Sequence, residues 1–278
     1  MFGLLGGVPT ICFRGRFHSY EGHEMKTVVL PVTVMRCLGV QICIVTNAAG
    51  GLNPEFSVGD VVCVSDHLAL PQLAGKNPLV GPNDDELGPR FPATSNCYPD
   101  DLRRLTINAS KELHMDFVHS HGTYCFVSGP MYESKAECRL LRSLGGDAVG
   151  MSTIPEIVTA HHCGMQTLCL SLITNKVVMT GDEGEPVATH AEVLEAVAKR
   201  SVQMQTLVRK IVSLMKDEII HKLPPLRQVS LVIPDTIRHT VIKAPAADSA
   251  TLVLKTMVMA GAIFALGVFA GSRKAVRV

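Results

Sequence analysis

Short apolar runs rich in β-branched residues alternate with longer stretches of helical period over roughly the first 217 positions. Residues 8–13, 40–46, 60–70, 122–128 and 166–174 have the length and composition of strands buried on both faces. Residues 99–113, 134–144, 155–162 and 190–215 repeat their apolar positions at helical spacing. In the last of these, Val193, Leu194, Val197, Met204, Leu207, Val208 and Ile211 make the stripe, and Pro155 suits the first turn of the third. Buried strands alternating with helices predict an α/β fold, with a mixed, largely parallel twisted sheet flanked by helices.

Two segments break this rhythm. Residues 71–96 hold five prolines and three glycines and read as a long loop, a functional element or a surface insertion. Beyond His221 the charge changes sign. Residues 223–278 carry seven Lys/Arg and two acids of the chain's 26 and 25, so the tail is +5 and the remainder −4. The near-neutral total therefore hides two unlike parts, 1–222 and 223–278. Residues 251–271 are apolar except for Lys255, flanked by Arg273, Lys274 and Arg277. That length suits a membrane-spanning or membrane-associated helix, or else a buried apolar tail.

Composition removes several classes. With 278 residues, 47% hydrophobic and 18% charged, the chain is not disordered. Balanced charge, no Trp and few aromatics argue against a nucleic-acid partner. Nine cysteines, none in a C-x-x-C pair and most within apolar runs, fit a reducing cytoplasm better than a disulfide framework. His161, His162 and Cys163 are the nearest approach to a metal-ligand cluster. Adjacent helical residues diverge, which makes no metal the expectation. The first residues lack the pattern of a secretory signal.

Chemistry-bearing side chains gather at the ends of the predicted strands. In RGRFHSYEG, Arg16 and His18 flank Phe17, so an extended chain turns both to one side, where they suit a phosphate or carboxylate; surface ion pairing explains them too. TNAAGG at 46–51 reads as a small-residue turn whose backbone N–H groups, including that of Ala48, are open to an anion. GPMYES brings Tyr132 and Glu133, able to stack on a ring and accept its N–H groups, or simply to begin a helix. In VGMST a strand runs into a helix, with Ser152 as cap or anion ligand. LITNK offers the Asn175 amide at a strand end, and His190 precedes the longest helix. No G-x-S-x-G elbow, P-loop or G-x-G-x-x-G fingerprint supports a hydrolase, nucleotide kinase or dinucleotide enzyme.

In order and spacing, RGRFHSYEG, VTNAAGGLNPEFSVGD, GPNDDELGPRFPA, GTYCFVSGPMYES, GGDAVGMSTIPE, SLITNK and THAEVL resemble the trimeric purine nucleoside phosphorylases, from about residue 1 to 221. The resemblance implies reversible phosphorolysis of inosine, guanosine and their 2′-deoxy forms to free purine and ribose 1-phosphate, in purine salvage. It implies inorganic phosphate as co-substrate and no cofactor. Arg16, His18, Ala48 and Ser152 would bind phosphate. Tyr20, Val149, Met151 and His190 would line the nucleoside pocket. Tyr132, where the family usually has Phe, would stack on the base. Glu133 and Asn175 would read it, and with His18 they are the catalytic candidates. Phe91, in the Pro-rich loop, would close the pocket of a neighbouring subunit of a homotrimer.

Family members also carry a strand inside the sheet, a GSG-type loop and a GHxG loop ahead of the position of Met1. Neither loop motif occurs here. The expectation is therefore a strand-wide gap with exposed neighbours, and weak or absent turnover. Alternatives are a non-catalytic purine-binding or oligomerisation variant, a methylthioadenosine phosphorylase-like enzyme, and a form anchored in a membrane through 251–271.

Overall fold

The computed structural model describes residues 1–179, 189–225 and 264–268. Its first two strands, β1 (Phe2–Leu5) and β2 (Val8–Arg14), form a hairpin. Gly6 and Gly7 turn it with φ of 57° and 79°, the left-handed pair that a two-residue hairpin loop demands. Helix α1 (Met25–Cys37) follows, although its run of valines and Pro31 disguise it. Its inward residues Val28, Val29, Val32 and Met35 keep helical spacing, and this burial outweighs the weak propensity of β-branched side chains.

The centre of the sheet is β3 (Ile42–Gly51), paired in parallel along its whole length with β9 (Gln166–Lys176). Strand β3 continues through the small residues expected to turn at 46–51 and bends at a bulge between Ala49 and Gly50. The run at 60–70 divides into β4 (Val61–Cys63) and β5 (Asp66–Ala69), followed by the single turn of α2 (Leu70–Leu73). Helix α3 (Asp100–Glu112), the short β6 (Val118–His119), β7 (Thr123–Phe126), α4 (Lys135–Ser143), β8 (Ala148–Gly150), α5 (Ile154–His162) and α6 (His190–Glu218) complete the order up to the tail. Parallel pairs β5–β7, β7–β8 and β4–β6 join antiparallel β3–β8 and β4–β9, so the sheet is mixed. Helices α1 and α5 cover one face, against Cys43, Val45 and Ala49. Helices α3 and α6 cover the other, against Ile42 and Ile44. At about 1.5–3 kcal/mol for each fully buried Val, Leu or Ile, these two layers hold the sheet.

The tail corrects two expectations. Residues Phe264–Val268 form β10, which lies between β2 and β3 and is antiparallel to both: Leu266 stands opposite Cys12 on one side and Ile44 on the other. Between β2 and β3, then, the sheet shows no gap, and the strand that joins them comes from beyond residue 260. A single helix over 251–271 is excluded, because a strand cannot lie within it. Among the described residues no helix is long and apolar enough to cross a membrane. The rest of that segment lies outside the described residues.

The nine cysteines are free, and all but half-buried Cys37 are buried. Burial pushes the Cys43 and Cys169 thiols up to about 12, as expected of small apolar fillers. His161 binds the Ala93 carbonyl at 2.8 Å and His162 the Asn83 amide at 3.2 Å, so both fasten the 71–96 loop to α5.

Candidate active site

Strand β10 pairs with β3 only over residues 42–45, and β8 meets the same edge only at Gly50 and Gly51. Between them the strands diverge, and the chemistry-bearing residues collect beside that opening. The cleft there, about 140 Å³, is lined by His18, Tyr20, Ala48, Tyr132, Glu133, Val149, Met151, Ser152 and Asn175, together with Ala49, Gly50, Gly150, Thr174 and Val193. Six separate segments deliver these groups: the loop after β2, β3, the loop before α4, the β8–α5 junction, the end of β9 and the first turn of α6.

Close approach depends on glycine. A methyl group on Gly50 would meet Val177, Val149 and the Asn175 amide at 2.9–3.4 Å, so its absence lets β3 and β9 bring their ends together. At Gly150 the space for a Cβ is taken by the Tyr124 hydroxyl.

Arg16 lies beneath the cleft. Its side chain is only 3% exposed; it donates to the Thr46 carbonyl at 2.9 Å and to the Ser152 hydroxyl at 3.0 Å, and pairs with Glu156 at 3.1 Å. His18 stacks on Tyr20 with ring centroids 4.7 Å apart. The Glu21 carboxylate accepts the His18 backbone N–H at 2.7 Å and lies 3.4 Å from its ring. Burial holds the His18 imidazole below its ordinary value, Arg16 adds to this, and Glu21 opposes both. Neutral His18 beside cationic Arg16 leaves one hydrogen-bonding ring and one charge at the same end of the cleft.

Glu133 stands two residues ahead of α4, whose cap is Ser134, so its carboxylate is not spent on a helix end. Burial pushes that carboxyl up, its own backbone N–H pulls it down, and Glu137 pushes it up again. The Asn175 carbonyl oxygen accepts from Thr174 at 3.2 Å, while among the described residues its amide nitrogen has one long bond, to the Lys176 carbonyl at 3.4 Å. Ser152 does not cap α5. The cap is Thr153, whose N–H is taken by Glu156 at 3.1 Å, which leaves the Ser152 hydroxyl to Arg16.

Two expected residues stand apart. Phe91 is 88% exposed, beside Arg90 in a second cavity of about 560 Å³ with His67 and Gln72. His190 opens α6, and its side chain lies outside the described positions. Asn47, Thr153 and Glu156, which hold the floor of the cleft, escaped the reading of single motifs. The T-x-x-E pattern at 153–156 is the sequence signal that marks two of them.

Among known proteins, the model of the phosphorylase superfamily matches residues 1–213. Purine nucleoside phosphorylase from Bos taurus is 48% identical over 208 residues, 75% of this chain and 72% of the relative. A crystal structure of the Schistosoma purine nucleoside phosphorylase with hypoxanthine superposes with a TM-score of 0.74 at 47% identity, over 76% of this chain and 75% of the other. Another, of a purine nucleoside phosphorylase with ribose 1-phosphate, gives 0.70 at 44% identity, over 80% and 74%. Strand β10 lies outside the span matched by the family model.

Proposed function

Because the chain belongs to the phosphorylase superfamily, among its purine nucleoside phosphorylases, we propose that it cleaves purine nucleosides with phosphate to give free purine and ribose 1-phosphate. The observation that carries this reading is the convergence, in one cleft, of anion donors with base-reading groups: His18, and Ser152 bonded to Arg16, with Glu133, Tyr132 and Asn175. Relatives bound to hypoxanthine and to ribose 1-phosphate support it from the two halves of the product.

Phosphate sits against Arg16, His18, the Ala48 backbone and Ser152. Ribose lies between it and the base, against Tyr20, Val149 and Met151, with His190 at its 5′ end. Glu133 accepts purine N–H groups and Tyr132 stacks on the ring. Cleavage builds positive charge on the sugar and negative charge on the purine. Phosphate below the sugar stabilises the first, and the Asn175 amide, bonded to a protonated N7 and to O6, stabilises the second. Preorganised donors of this kind contribute about 2.7–4 kcal/mol each. The acceptor and amide pair favours 6-oxopurines. The reaction needs no metal or redox cofactor and belongs in the cytoplasm, in a homotrimer whose pockets are each closed by a neighbour's Phe91. Residues 1–222 carry every proposed site residue, and 223–278 contribute β10 to the same sheet.

The test is purified full-length chain with inosine. Phosphate-dependent release of hypoxanthine, with ribose 1-phosphate seen by phosphorus NMR, is the expected result. Hypoxanthine binding with no phosphate-dependent turnover would leave a purine-binding protein instead.

A further inference from the structure

Arg16 is held in an unusual way for a residue that meets an anion. Its guanidinium has five N–H groups, and protein oxygens surround most of it: Thr46 carbonyl, Ser152 and Thr153 hydroxyls, and the Glu156 carboxylate. Glu156 is as buried as its partner, with 5% of its side chain exposed. The same oxygen, Oε2, lies 3.1 Å from Arg16 Nε and 3.1 Å from the Thr153 backbone nitrogen. Thr153 has a φ of 77°, a conformation that a β-branched residue adopts only when its surroundings compel it. Its hydroxyl in turn receives the Asn47 amide at 3.0 Å. One carboxylate oxygen therefore both pairs with the guanidinium and holds the strained turn that carries Ser152.

We infer that Glu156 is a positioning residue for phosphate, acting through Arg16 and Thr153 so that the guanidinium and the Ser152 hydroxyl face a single anion. This rests on the phosphorolysis reading of the cleft. Glu156 touches neither substrate. A buried carboxylate beside an anion site also repels the anion, so its presence is explained by the orientation it imposes rather than by charge.

The test measures phosphate binding by equilibrium dialysis with labelled phosphate, and KM for phosphate and for inosine separately, on the full chain. Glu156→Gln keeps the volume and removes the charge that orients Arg16. Phosphate affinity should fall at least tenfold while the inosine KM stays within twofold, with Glu156→Asp recovering part of the loss. In a double-mutant cycle, Glu156→Gln should weaken phosphate binding far less in an Arg16→Lys background than alone. Unchanged or tighter phosphate binding overturns the inference, and so do additive effects in the cycle. Should Glu156→Gln fail to fold, Glu156→Asp carries the same test, and equal losses for phosphate and inosine overturn it. Wild-type chain that binds phosphate but does not cleave inosine refutes phosphorolysis, while the dialysis comparison still decides the role of Glu156.

Discussion

At the scale of single residues, the cleft separates groups by what burial does to their charge. Glu133 must be ionised to accept N–H groups from a purine, yet burial raises its carboxyl above the ordinary 4.5. Its protonated form favours the folded state, a contribution present below 4.5 and lost as pH rises through the raised value. Purine binding favours the opposite form, so in that window the base should expel a proton, measurable as buffer-dependent heat in calorimetry. The acid limb of kcat/KM should accordingly lie above 4.5, and Glu133→Gln should abolish it along with most base affinity. At the other end of the base, Asn175→Ala should lower kcat about 10²–10³-fold with little change in thermal stability, since among the described residues its amide nitrogen makes one long bond. Unchanged turnover in that variant would remove Asn175 from the chemistry.

Among the elements, agreement between sequence and structure depends on how local the determinants are. The strands β2, β7 and β9 and the helices α3, α4 and α5 follow the hydrophobic period to within two or three residues, because each has a continuous buried run or stripe. Helix α1 was illegible through its valines and Pro31, and β10 through its apolar surroundings: no local pattern tells a strand from a helix in such a run. The cleft residues were legible partly from short motifs beside strands and partly, as for Tyr20, Val149 and Met151, from the family resemblance, and nine of the twelve line it. Of its supports, Asn47 left no local signal, its partner Thr153 being more than a hundred positions away, whereas Glu156 shows in the sequence only as the T-x-x-E partner of Thr153, its pairing with Arg16 being equally remote. Strand β10 invites a direct test. Leu266 lies mid-strand with neighbours on both sides, so Leu266→Pro removes a ladder N–H inside the sheet, leaves a carbonyl unpaired and should cost about 1–3 kcal/mol, read as a lowered midpoint in urea. A midpoint unchanged from wild type would show that the sheet does not depend on β10.

For the whole molecule, the proposed trimer makes a site that no single subunit completes. Phe91, nearly fully exposed in one chain, gives the means to show this. Phe91→Ala and Asn175→Ala chains should each be impaired. Dissociated and reassociated together, they should regain activity, because some pockets then combine an intact Asn175 with a neighbour's intact Phe91. No gain on mixing would place Phe91 outside every pocket. The order of strands carries a different consequence, one of time. The ribosome releases β2 and β3 early, but the strand that joins them is made after every other described element. Until it emerges, two apolar edges near the middle of the future sheet remain open to any other extended chain, including a second nascent copy. Closing the sheet in the cell therefore has to wait until translation has passed Val268, and stalled chains ending before Phe264 should be cut by protease at concentrations that the released protein survives.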